Sequence, residues 1–101
     1  MTLEFITLAF GAGLFALGLA GALMRRNAIV VLMSIELILN GVNLTFVTFS
    51  RIHGDLTGQI VALFVITVAA AEAAVGLAII IAIFRRHPSS INIDEFNVLK
   101  W

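Results

Sequence analysis

Apolar side chains dominate three stretches of the chain, and each stretch is long enough to cross a bilayer as a helix. The apolar runs cover residues 3–24, 28–49 and 59–84. At a rise of about 1.5 Å per residue, a run of about 22 residues extends about 33 Å, which exceeds the usual hydrocarbon thickness of about 30 Å. The pattern therefore predicts an all-α integral membrane protein with three transmembrane helices.

Polar residues separate these runs and follow the last of them. We expect a tight loop at residues 25–27, and a second loop at 50–58 because that segment contains two glycines and mixed polarity. Arginines followed by Pro88 end the third apolar run, since proline does not continue a helix. The tail, residues 85–101, alternates apolar and polar side chains, so it could lie at the membrane surface or against a partner subunit.

The composition agrees with a membrane protein and excludes several other classes. The chain has 101 residues, of which 61% are hydrophobic and 12% charged, whereas soluble domains average about 45–50% and about 25%. Its net charge is zero, which argues against nucleic-acid binding. The sequence has no cysteine, and both histidines fall in predicted loops, so we expect no metal site. The expected surroundings are a lipid bilayer and other subunits.

The distribution of basic residues predicts how the chain is oriented. The first loop and the tail lie on one side of a three-helix protein and together hold five of the six Lys and Arg residues. The other side holds only Arg51. Because basic loops stay in the cytoplasm, we expect the N-terminus outside and the C-terminus in the cytoplasm.

The first apolar run is rich in small residues. Glycines occur at 11, 13, 18 and 21, and alanines at 12, 16 and 20. Small residues let membrane helices approach closely. We therefore expect this helix to make a tight interface with another helix.

Two carboxylic acids interrupt the second and third apolar runs. Glu36 lies within Met33-Ser34-Ile35-Glu36-Leu37, and Glu72 lies within a run of alanines. A charged group in the middle of a bilayer costs roughly 2.5–3.5 kcal/mol on insertion scales, and residues of this kind usually mark ion or proton pathways. Glu36 and Glu72 are therefore the candidate functional residues.

Their depth and chemistry favour a proton relay. Counting at helical rise from Asn27 and Arg85 places both carboxyl groups near the middle of the membrane, displaced by about 6 Å along its normal. Removal from water disfavours the ionised form of a carboxylic acid, so such groups can take up and release protons. One or two waters could connect them if helices two and three pack together. The alternative is that both stay neutral and only hydrogen-bond neighbouring helices.

Weaker candidates accompany the glutamates. At about 100° per residue, Asn40 and Asn43 fall within roughly 40° of Glu36 on the second helix and form a polar stripe with it. Arg25 and Arg26, in the first loop, are expected to anchor the chain at the membrane surface; the alternative is that they take part in gating or contact a partner.

These features together resemble the K-type subunit family of respiratory complex I, called 4L in mitochondria. The resemblance covers nearly the whole chain and rests mainly on segments 25–28, 33–37, 40–44, 58–59, 70–78 and 99–101. It implies a non-redox membrane-arm subunit of the proton-pumping NADH:quinone oxidoreductase, an enzyme of energy-transducing membranes such as the bacterial inner membrane.

The resemblance also implies roles for particular residues. Residues matching Glu36 and Glu72 couple quinone reduction to proton translocation in that family, and residues matching Arg25 and Arg26 matter for coupled activity. NADH, flavin, iron–sulfur clusters and quinone are used by partner subunits, so no cofactor is expected on this chain. Three alternatives remain, namely a small subunit of a multisubunit cation/proton antiporter, a purely structural assembly subunit, and a small multidrug transporter.

Overall fold

A computed structural model describes residues 2–87, which form three long helices. Helix α1 covers Thr2–Met24, α2 covers Ala28–His53 and α3 covers Thr57–Arg86. Each is long and apolar enough to span a membrane, as the sequence predicts. The predicted amphipathic tail falls largely at residues 88–101, outside the described residues, while Arg85 and Arg86 belong to α3.

The connection between α2 and α3 is shorter than the predicted loop at 50–58. Helix α2 ends at Gly54, which adopts a left-handed conformation with φ of 71° and donates its N–H to helix carbonyls. Glycine is favoured there because it has no Cβ to clash. Asp55 Oδ1 accepts a hydrogen bond of 3.0 Å from Thr57 N and so leads into α3. Gly58, the second glycine, belongs to the first turn of α3.

The start of α2 depends on Asn27. Its side-chain Oδ1 accepts hydrogen bonds from Ile29 N at 2.9 Å and Val30 N at 3.3 Å. These are first-turn donors that have no partner inside the helix, so the asparagine acts as an N-cap. The cap ends the tight Arg25–Asn27 connection and sets where α2 begins.

Helix α2 lies between α1 and α3 and packs on both. Its contact with α1 uses residues spaced alternately by three and four, which is the spacing of one face of a helix. Close approach depends on glycine: an ideal Cβ built on Gly18 would lie 2.6 Å from Ser34 O, and one built on Gly41 would lie 2.6 Å from Gly11 O. The predicted tight interface is thus present between α1 and α2.

Only some of the small residues of α1 form that interface. Gly13 has open space where a Cβ would be, and Ala12, Ala16 and Ala20 are exposed in this chain. The alanine row therefore lies away from α2. It belongs to the large apolar exterior that three helices alone leave uncovered.

The described residues bury very little apolar surface. Among the described residues the buried hydrophobic ones are three alanines, Ala28, Ala62 and Ala69, while phenylalanines such as Phe5 (72% exposed) and Phe64 (69% exposed) point outward. In water so much exposed apolar surface would be unfavourable. In a bilayer the same surface contacts lipid or other membrane helices.

Candidate functional site

The predicted polar stripe on α2 lies in three different environments. Glu36 is half-buried, Asn40 is exposed, and Asn43 is buried with 8% of its surface accessible. The three residues of the stripe therefore do not all face the same neighbours. Asn43 is enclosed by this chain, whereas Asn40 is open to lipid or to a partner subunit.

The buried part of the stripe faces α3. Gly58 of α3 packs on Phe46 and Ser50 of α2, and an ideal Cβ on Gly76 would lie 3.4 Å from Leu32 Cδ1. On α2, residues 32, 36, 39, 43, 46 and 50 repeat at alternating intervals of four and three and hence share one face. We call the contact of this face with α3 the α2–α3 seam. Both Glu36 and Asn43 belong to it.

The opposite face of α2 contacts α1. Thr48 Oγ1 lies 3.0 Å from Thr7 Oγ1 of α1. An ideal Cβ built on Gly21 of α1 would overlap Ser34 Oγ. Ser34 and Thr45 also donate to backbone carbonyls of their own helix. The hydroxyl groups on this face are thus used in packing α1 and lie away from the glutamates.

Glu36 and Glu72 lie at the same level across the α2–α3 seam. Glu36 is four residues after Leu32, and Glu72 is four residues before Gly76, the contact partner of Leu32. Because the two helices run in opposite directions, equal separations from one contact give equal depth. The contact of Ser50 with Gly58 also gives equal depth, because Glu36 lies fourteen residues before Ser50 and Glu72 lies fourteen residues after Gly58.

The equal depth of the two glutamates differs from the prediction, which was that they are displaced by about 6 Å along the membrane normal. Gly76 lies ten residues before Arg86, whereas Leu32 lies only four after Ala28. Helix α3 therefore extends about six residues, or about 9 Å, beyond the start of α2. Counting depth from the two helix ends assumed that they were level, and that assumption was wrong.

Glu72 lies at the edge of the seam. The α3 residues that are buried or half-buried include Ala62, Ala69, Ala73 and Gly76. At about 100° per residue, Glu72 is about 60° from Ala69 and about 100° from Ala73. It is exposed in this chain, so its surroundings in the membrane include groups from outside the chain.

Asn43 has an unusual hydrogen-bonding state. Its side-chain Oδ1 is buried and accepts no hydrogen bond from any described residue. An unsatisfied buried polar atom costs about 1–3 kcal/mol, and such atoms normally have a partner, often a water molecule. The sequence identified Asn43 by its position on the stripe but gave no indication that it would be enclosed.

The two arginines are not brought to the glutamates. Arg25 and Arg26 are exposed in the short connection before α2. Glu36 lies nine residues after Asn27, about 13.5 Å along the helix. The arginines lie at the end of the helices where α1 meets α2. Within residues 2–87, moreover, no group of three or more His, Asp or Glu side chains is arranged to hold a metal ion.

Ser50 was missed as a seam residue by the sequence analysis, which placed it in the second loop. It is 3% exposed, and its hydroxyl donates to the Asp55 carbonyl oxygen. It lies seven residues beyond Asn43 on the same face. The signal was present in the sequence, because polar residues at 36, 43 and 50 recur every two helical turns.

Comparison with known proteins identifies the family. Residues 6–101 match the family described as NADH-ubiquinone/plastoquinone oxidoreductase chain 4L. The chain is 61% identical over 93 residues to the NADH-quinone oxidoreductase subunit K of Salinibacter ruber, covering 92% of this chain and 91% of the relative. It is 53% identical over 94 residues to NADH-quinone oxidoreductase subunit K 1 of Geotalea daltonii, covering 93% of each.

A subunit K from Leptospira biflexa is also similar, with 54% identity over 88 residues, which is 87% of this chain and 82% of the relative. These relatives favour an NADH-quinone oxidoreductase over a multisubunit antiporter or a multidrug transporter. They confirm the resemblance drawn from the glutamate-containing segments. The chain belongs to the NADH-ubiquinone/plastoquinone oxidoreductase chain 4L family.

Proposed function

We propose that this chain relays protons sideways within the membrane arm of an NADH-quinone oxidoreductase, through Glu36 and then Glu72 or in the reverse order. A chain 4L protein is a membrane subunit of the proton-translocating enzyme. The observation that supports the relay most is the shared depth of the two glutamates across the α2–α3 seam. Transfer between them runs parallel to the membrane plane.

The separation across the seam suits a relay through water. Helices packed on small residues lie about 8–10 Å apart, and two glutamate side chains extending from them leave a gap that one or two waters can bridge. A carboxylic acid surrounded by apolar groups can give up a proton and accept another without leaving a permanent charge in the membrane. The seam thus offers both a donor and an acceptor.

Glu72 provides the exit toward another subunit. It is exposed at the edge of the seam, and an ionisable group in a bilayer requires a polar or hydrated partner. Since residues 2–87 hold Lys and Arg only near the helix ends, we propose that a partner subunit supplies the group facing Glu72. The chain would then connect Glu36 with that neighbouring subunit.

The redox chemistry is proposed to occur elsewhere in the complex. NADH oxidation, the flavin, the iron–sulfur clusters and quinone reduction are assigned to partner subunits, and this chain responds to them by moving protons. We further propose that the N-terminus lies outside and the C-terminus in the cytoplasm, in a bacterial inner membrane. The alternative of a purely structural subunit predicts that neither carboxyl group needs to ionise.

Replacing Glu72 with Gln tests the exit. We expect Glu72→Gln to lower NADH-driven proton pumping in membrane vesicles by about fivefold, less than the full contribution of an acid–base group, because polar groups of the partner subunit proposed to face Glu72 would partly replace the carboxyl. Thr67→Val serves as the control, since Thr67 is also exposed on α3 but donates only to the Leu63 carbonyl. Pumping at the wild-type rate in assembled Glu72→Gln enzyme would exclude Glu72 from the path.

The orientation is tested by cysteine labelling, because the chain has no cysteine of its own. We expect Asp55→Cys to react with a membrane-impermeant maleimide added to right-side-out vesicles, and His87→Cys to react only in inverted vesicles. Asp55 lies in the α2–α3 connection and His87 follows α3, so the two sites lie on opposite sides of the membrane. The reverse labelling pattern would show that the positive-inside argument fails here.

A further inference from the structure

We propose that Asn43 binds a water molecule that enters the α2–α3 seam from its outer end, and that Glu36 exchanges protons with the outer side through this water. The proposal adds a branch perpendicular to the sideways relay. Its proton-transfer part rests on the proposed function, whereas its water site does not.

The first observation is the buried acceptor. Asn43 is 8% exposed, and its Oδ1 has no hydrogen-bond partner among the described residues. A group of a partner subunit has little access to an atom that this chain already encloses. Ordered waters commonly satisfy buried polar groups of this kind.

The second observation is a cavity at the outer end of the same seam. It has a volume of about 200 Å³, and its lining includes the polar residues Ser50, His53 and Asp55 together with Phe46. Phe46 is three residues after Asn43, less than one helical turn away. This open pocket therefore lies within about one helical turn of Asn43 along α2.

The wall opposite Asn43 consists of a valine flanked by two alanines. Asn43 lies seven residues before Ser50, and Val65 lies seven after Gly58, so Val65 is at the level of Asn43. Ala62 and Ala69 flank this level on the buried face of α3. The alanines above and below this level fill less of the seam than larger side chains would.

Polar groups continue along the seam toward Glu36. Glu36, Asn43 and Ser50 are separated by seven residues each, about 10.5 Å along the helix axis. Part of each interval is covered by the side chains themselves, and a short chain of waters can cover the rest. Protons move readily along such hydrogen-bonded chains, so the seam connects the middle of the membrane with the outer cavity.

Silver-ion accessibility tests the water site in the complete enzyme within its membrane. Ag⁺ is small, travels through water and binds thiolates, and bound Ag⁺ prevents later maleimide labelling of the denatured chain. We expect Ag⁺ added on the outer side to block Asn43→Cys about tenfold faster than Thr48→Cys, because reaction requires a hydrated thiolate. Thr48 is a strict control: it lies five residues nearer the outer end and is 4% exposed, but it packs on α1.

Pumping measurements test the proton branch. Asn43→Leu fills the site with an apolar group of similar size and should lower NADH-driven pumping several-fold in assembled enzyme. Asn43→Ser keeps a hydrogen-bonding group and room for water, so it should pump nearly as the wild type does. Wild-type pumping by Asn43→Leu would overturn the branch.

The outcomes separate this proposal from the relay itself. If Ag⁺ blocks Asn43→Cys no faster than Thr48→Cys, or only from the inner side, the water site is wrong whatever Glu36 does. If Ag⁺ reaches Asn43→Cys but Glu36→Gln pumps normally, the water site stands and the relay fails. The Ag⁺ test needs only an assembled complex, which native gels establish for each variant.

Discussion

Replacing Glu36 with Gln is expected to reduce NADH-driven proton pumping to background while the complex still assembles. Gln keeps the length of the side chain and its capacity for hydrogen bonds, but it cannot release or accept a proton under these conditions. Acid–base groups contribute about 10²–10⁴-fold to the steps they serve, so even the low end of that range would remove measurable pumping. The measurement is acidification of inverted vesicles on addition of NADH.

The position of Glu36 explains why its expected effect exceeds that of Glu72. Glu36 is half-buried in the α2–α3 seam, where neighbouring side chains of this chain limit the groups that could replace it. A suitable control is Glu4→Gln, because Glu4 is a carboxylate in the first turn of α1, 3.7 Å from Arg51 Nε and distant from Glu36. Glu4→Gln should pump at the wild-type rate. Equal loss in both variants would point to a general electrostatic effect rather than a relay.

The largest expected effect on assembly comes from Gly18→Ala. The added Cβ would lie 2.6 Å from Ser34 O and 2.9 Å from Ile38 N, both backbone atoms of α2. Backbone atoms of a packed helix cannot move aside independently, so α1 and α2 would have to separate along this contact. Overpacking of this kind typically costs about 1–3 kcal/mol, and we expect less assembled complex on native gels and a lower temperature of thermal inactivation.

Gly13→Ala is the matched control for that substitution. It makes the same chemical change on the same helix, but the added Cβ meets nothing within 4 Å in this chain. In a helix, Ala is also favoured over Gly by about 1 kcal/mol. Gly13→Ala should therefore leave assembly unchanged or slightly improve it. If Gly13→Ala disrupts assembly as strongly as Gly18→Ala, a partner subunit packs closely on the exposed side of α1.

The sequence was sufficient for the number of helices and for the two candidate carboxylates. Three apolar runs and two interrupting glutamates are local features, and a bilayer leaves the backbone few alternatives to a helix. The first connection was also predicted, because three polar residues, 25–27, separate two apolar runs. These predictions depend on neighbouring residues and need no knowledge of packing.

The relation between the helices was less predictable. Which end of α3 extends past α2 depends on the contacts of Gly58 and Gly76, and no local pattern specifies that register. The predicted depth difference of Glu36 and Glu72 was wrong for this reason. Likewise, the sequence contained the small residues of α1 but did not indicate that Gly11, Gly18 and Gly21 would face α2 while Gly13 would not.

The surroundings of the site are also determined by packing. Asn40 and Asn43 differ by less than one turn, yet one is exposed and the other enclosed, because α3 covers only part of the stripe. Glu72 is exposed for the same reason. We propose that its facing groups belong to other subunits, whose sequences this chain does not contain.

The most direct test of the central claim compares Glu36→Asp with Glu36→Gln in the same vesicle preparation, measuring protons translocated per NADH oxidised. Asp keeps the ability to exchange a proton but shortens the side chain, whereas Gln keeps the length and the hydrogen bonds. A relay predicts that Asp retains much of the ratio and that Gln loses it, with both complexes assembled. Normal translocation with Gln and a loss with Asp would show that Glu36 only holds the helices together.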